Sequence, residues 1–170
     1  MDNSILKSHI NDIQKAAREG NLVVFAGAGV SNNSGVPVWN KLTDAFRNEL
    51  PEFARNISDD LKLAQIYKTT YPAKFLETVR AVLKDGEIVP NAIHNAILDL
   101  KPCHIITTNF DDLIEQACKE RFELYQTVSS DDDMTSIPNT HIIVKMHGDY
   151  SKGNIVLAEE QMLRKNYKLA

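Results

Sequence analysis

Apolar side chains recur along this chain in two rhythms, and the rhythms divide it into helices and strands. Ile5, Leu6, Ile10, Ile13 and Ala17 follow near-helical spacing, and Gly20 is placed to end that helix. Leu22 to Phe25 is instead a short continuous apolar run rich in β-branched residues, the pattern of a parallel strand covered on both faces. Helical spacing returns from Val38 to Leu50 and stops at Pro51. A polar connection, residues 52–60, leads to helical stretches over 61–70 and 72–86. Pro72 suits a first helical turn and Gly86 a C-terminal cap. Residues 89–101 read as another helix. Cys103 to Thr107 reads as a second buried strand, 111–122 as the helix after it, and 122–128 as a third strand. Residues 129–140 form a polar loop containing three consecutive Asp, read as a solvated turn region rather than a metal site because adjacent carboxylates repel. A further strand begins at His141, and residues 154–168 read as a short strand followed by a helix. Strands that alternate with helices predict an α/β fold, a Rossmann-like, mostly parallel sheet flanked by helices with right-handed crossovers.

Composition narrows the class. The 170 residues suit one domain with its own core, with apolar residues at 43% and charged residues at 25%. The formal net charge is -4, without a basic block or stripe, which argues against a nucleic-acid-binding face. No apolar run approaches the roughly 20 residues of a membrane span. The polar, amphipathic N-terminus lacks a signal-peptide core, so the sequence reads as cytoplasmic. The two cysteines, Cys103 and Cys118, form no CxxC pair; both read as core thiols, and no zinc is expected.

Candidate chemistry gathers at strand ends. Three strands run into polar clusters at their carboxyl ends: "AGAGVS" after Phe25, "TTNFD" after Ile106 and "MHGD" after Lys145. Ligands of open parallel sheets bind there, so Gly27, Gly29, Ser31, Asn109, Asp111 and His147 are expected around one crevice. Each piece alone has a plainer reading. "GAG" is half of a dinucleotide fingerprint and occurs in ordinary turns; as a cradle, its glycines would let backbone amides approach a phosphate. Thr108, Asn109 or Asp111 could simply cap the next helix. His147 could be structural, or a general base that titrates near neutrality. His9, His94, His104 and His141 sit beside apolar residues and read as structural.

Taken together and in order, "GAGVSNNSGVP", "TTNFDDLIE" and "KMHGD" resemble the sirtuin superfamily. The closest likeness is to its bacterial sirtuin-like NAD-hydrolase branch, the Thoeris-effector-like proteins of anti-phage defence. The likeness begins near Leu22 and runs to about Leu163. It implies a single sirtuin-like NAD-binding domain over 1–170, with residues 1–20 an N-terminal helix and 21–170 the core. It implies that Gly27, Ala28, Gly29 and Ser31 hold NAD, that Asp111 contacts the nicotinamide amide, and that Asn109 and His147 are catalytic. Asn109 would position water or the ribose and His147 would act on the ribose hydroxyls. The implied reaction cleaves NAD, as substrate, to nicotinamide and ADP-ribose, with no metal. The implied setting is a homo-oligomer working with a sensor domain or partner protein. The likeness departs from deacylating sirtuins at "GVPVWN", where Val38, Trp39 and Asn40 replace Asp, Phe and Arg, at Thr108 in place of Gln, and in the missing CxxC pairs. Trp39 is read either as cover for the nicotinamide end or as a core residue. A protein deacylase or ADP-ribosyl transferase, or a non-catalytic nucleotide sensor, is the alternative. The family's later ribose-binding motif does not occur before Ala170, so the fold is expected to be cut short on its C-terminal side.

Overall fold

The computed structural model describes residues 3–37, 39–83, 88–134 and 141–157. Its four strands, β1 (Val23–Ala26), β2 (His104–Thr107), β3 (Tyr125–Val128) and β4 (His141–Lys145), form one sheet in the order β1-β2-β4-β3. All neighbours run parallel, with Ala26 beside Thr107 and Thr107 beside Lys145 at the carboxyl ends. The register therefore brings three strand exits to one edge.

Helix α1 (Asn3–Arg18) ends where the periodicity places its end. Gly20 takes a φ of 69°, and the Asn21 and Gly20 amides return to the Ala16 and Ala17 carbonyls, a left-handed closure that glycine enters without Cβ strain. Four helices between β1 and β2 build a separate apolar cluster: α3 (Trp39–Glu49), α4 (Glu52–Arg55), α5 (Asp60–Thr70) and α6 (Pro72–Leu83). At its centre Phe46 stacks on Tyr67 at 4.4 Å and on Phe75 at 5.5 Å. A second cluster lies against the sheet, where Ile105 and Ile143 meet Ile97 and Leu98 of α7 (Ala92–Asp99) and Ala117 and Cys118 of α8 (Leu113–Glu120). Burial pushes the Cys118 thiol up to about 12, as expected of a core thiol.

The structure departs from the sequence reading in four places. Residues 52–60 are not wholly irregular, because Glu52–Arg55 makes a helical turn behind Pro51. The acidic loop carries a helical turn, α9 (Asp131–Met134), whose Asp133 carboxylate accepts from the Ser129 and Ser130 amides. Residues 154–157 form no strand, and the helix expected after them lies outside the described residues, as does the cap at Gly86. Among the described residues, strand β1 lies at the sheet's edge and is covered on one face only, with Val23 and Phe25 46% and 64% exposed.

Candidate active site

The turn after β1 is the first wall of the site. Backbone bonds from Val30 to Gly27 and from Ser31 to Ala28 wind it straight into a short helix, α2 (Gly29–Asn32), rather than an open loop. The amides at the head of such a turn have no partner within it. A Cβ at Gly29 would meet no described atom within 4 Å, and one at Gly27 only the Thr108 hydroxyl at 3.8 Å. The space over the turn is thus open to an approaching group. Asn91, at the start of α7, fixes α2 from behind by donating to the Val30 carbonyl and the Ser34 hydroxyl, both at 2.8 Å. The Asn91 amide donates to His94 Nδ1, so His94 caps its own helix; its buried Nε2 has no hydrogen-bond partner among the described residues. Burial pushes this imidazole below its ordinary value, while the nearby Asp111 charge opposes that shift.

The second wall is the exit of β2. The Thr107 hydroxyl accepts the Asn109 amide and turns the chain. Asn109 caps no helix. Its side chain is buried and donates to the Ser31 hydroxyl at 2.9 Å, and Ser31 in turn favours the charged form of the Asp111 carboxylate. Ser31 therefore links two strand ends through one hydroxyl. Asp111 also accepts the Leu113 amide at the start of α8. Burial raises its pKa above the usual carboxylate value, and the Leu113 amide, Ser31 and the charges of Lys145 and His94 restrain the rise.

The third wall is the turn after β4. Gly148 has a φ of 80°, and a Cβ there would lie 2.1 Å from the Asn154 carbonyl oxygen, so both conformation and space require glycine. This turn presents His147, half-buried, whose carbonyl accepts from Val156.

A cavity of about 240 Å³ opens between these walls, lined on its polar side by Ala28, Ser31, Asn109, Asp111 and His147. Its apolar side is Trp39, Leu42, Leu61 and Leu157. A second cavity of about 290 Å³ adjoins it, sharing Val36, Leu83 and Asp111 as walls. Pockets of roughly 300–1,000 Å³ are usual for small-molecule ligands, so the two together have ligand dimensions. Gly27 and Gly29 flank Ala28 in the first turn without lining the cavity themselves. Trp39 packs on the helical cluster and also walls the cavity. Sequence reasoning passed over Lys145, whose side chain is wholly buried under the site. The signal was a lone cation inside the apolar run "HIIVKM".

A parallel sheet with a ligand-sized crevice at its carboxyl edge defines a Rossmann-type α/β domain. The comparisons sharpen that class: residues 103–169 match the family model described as SIR2-like domain, and the chain is a sirtuin-like domain. It is 36% identical to defense-associated sirtuin 2 of Bacillus subtilis over 182 aligned positions, covering 99% of this chain and 18% of that protein. It is 32% identical to the NAD(+) hydrolase ThsA of Enterococcus faecium over 154 positions, covering 88% of this chain and 31% of that protein. It is 31% identical to an NAD-dependent protein deacetylase of Clostridium perfringens over 127 positions, covering 70% and 50%. The chain spans less than a third of the length of the first two relatives. No described helix is long and apolar enough to cross a membrane.

Proposed function

We propose that this domain cleaves NAD, releasing nicotinamide and ADP-ribose, as the effector portion of a larger cytoplasmic defence protein. The observation that carries the reading is the convergence of Ser31, Asn109, Asp111 and His147 from three strand exits on one cavity. The relatives named NAD(+) hydrolase support the choice of ligand. The α2 turn at Gly27, Ala28 and Gly29, with Ser31, would hold the pyrophosphate. Asp111, at the wall shared by both cavities, would receive the nicotinamide amide.

Nicotinamide leaves NAD as a neutral ring because it carries a positive charge in the substrate. The domain then has to stabilise an oxocarbenium-like ribose and place a water on it, a task for positioning and electrostatics. Asn109, held by Ser31, would orient the water or ribose. His147 would take the proton from a ribose hydroxyl or the attacking water. Assembly as a homo-oligomer and control by a sensor domain or partner belong to the same proposal.

Incubating the full-length protein with NAD and separating the products by chromatography tests it. Free ADP-ribose and nicotinamide should form without any acylated peptide, and Asn109→Ala and His147→Ala should each lower the rate about 100-fold or more. The deacetylase relative favours a second reading. Product formation only with an acetylated peptide would select that reading, and an unchanged rate in both variants would remove the catalytic roles given to Asn109 and His147.

A further inference from the structure

Lys145 is the last residue of β4, beside Thr107 in the register, and its side chain has no exposed surface. An ammonium has three N–H donors, and this one meets three oxygens: the Asp111 main-chain carbonyl at 2.7 Å, Glu115 Oε1 at 3.1 Å and Asp149 Oδ2 at 3.1 Å. Those acceptors belong to three segments: the loop after β2, helix α8 and the turn after β4. Two main-chain bonds run between the same loops, from Met146 to Thr107 and from Tyr150 to Phe110, but neither reaches Asp111. Burying an ammonium carries a large desolvation cost, and packed apolar residues usually stabilise a fold as well as a buried ion cluster does. Stability alone therefore gives no reason for a lysine here; geometry does.

We propose that Lys145 is a positioning residue whose ammonium holds the Asp111 loop at a set distance from the His147 turn. The inference rests on the active-site reading above. Glu115 and Asp149 keep the ammonium in place, and the Asp111 carbonyl is what it positions. Arginine cannot replace it, because a planar guanidinium does not present three donors from one point.

The test removes the tie while conserving charge. In the full-length protein, the double variant Lys145→Met, Asp149→Asn loses one positive and one negative charge, keeps an acceptor for the Ser151 hydrogen bonds and leaves the more exposed Glu115 with Thr127. NAD cleavage, melting temperature and amide hydrogen exchange are measured together. The expected result is a near-native melting temperature, kcat lowered at least 30-fold with KM within threefold, and faster exchange confined to residues 108–112 and 146–150. Lys145→Arg should show the same kcat loss. Native stability with kcat and exchange within threefold of wild type overturns the proposal. If the wild-type protein cleaves no NAD, the site reading fails independently, and exchange in the two loops alone decides the role of Lys145. If the double variant does not fold, Lys145→Arg alone takes its place, and unchanged exchange in both loops again overturns the proposal.

Discussion

At the level of single residues, the site is organised around one hydroxyl. Ser31 holds Asn109, whose plainer capping role the fold declines to use, whereas Asp111 keeps its own by accepting the Leu113 amide. The capping alternative was open for Asn109 because Asn is a good N-cap anywhere. What decides against it is a contact 78 residues apart in the chain, which local spacing does not encode. Asp111 shows what the arrangement costs. Its folded pKa lies above the unfolded one because burial disfavours its charge. The folded state thus binds the proton more tightly, so this contribution to stability is present below the unfolded value and is lost as pH rises through the folded value. Asp111→Asn keeps the shape and removes the charge. The variant should melt a few degrees above wild type at pH 7, and that advantage should shrink as pH falls through the raised folded value towards the ordinary carboxylate value. Thermal melts of both proteins across that pH range check it; an advantage that grows on acidification would contradict the sign.

Secondary elements were legible where one rhythm persisted. Strands β1, β2 and β4 and helices α1, α3, α5, α6, α7 and α8 overlie the stretches whose spacing predicted them, with β1 reaching one residue past its stretch and α5 starting one residue before. The short helical turns α2, α4 and α9 were not, since four residues are too few to show a period. The double-sided cover expected for β1 is not met among the described residues, because an apolar run does not say what will pack on each face of its strand. The turn after β4 was read from "MHGD" as polar, but its glycine requirement arises from the Asn154 carbonyl, a partner that only the fold supplies. Gly148→Ala should therefore destabilise the domain by more than the ~1 kcal/mol of an ordinary glycine replacement, and by roughly 2–4 kcal/mol once strain and displacement add. Because His147 precedes it, NAD cleavage at a temperature where the variant is still folded should fall as well. Denaturant titration and a rate assay on the same sample measure both; a loss below ~0.5 kcal/mol would mean that the turn relaxes freely.

Over the whole molecule, the cavity sits between two apolar clusters that touch different parts of it. Leu42, Leu83 and Leu157 come from the helical cluster, whereas Ser31, Asn109 and His147 stand at the exits of the sheet. The polar half was visible in the sequence as three strand-end clusters. The apolar half was not, since no pattern marks which face of a helix bundle will close over a neighbouring sheet. A ligand in this position contacts both clusters, so its binding energy should stabilise them as one unit. At a ligand concentration about 100 times Kd the gain is ~2.7 kcal/mol, which for a domain of this size raises the melting temperature by roughly 5–10 °C. A His147→Ala variant, slowed in turnover, allows the measurement with NAD itself. Amide exchange should then slow both in α3 and α5 and in the strand exits at 27–31 and 107–111. Slowing limited to the strand exits would mean that the helical cluster is a bystander and that Trp39, Leu42 and Leu61 close over nothing.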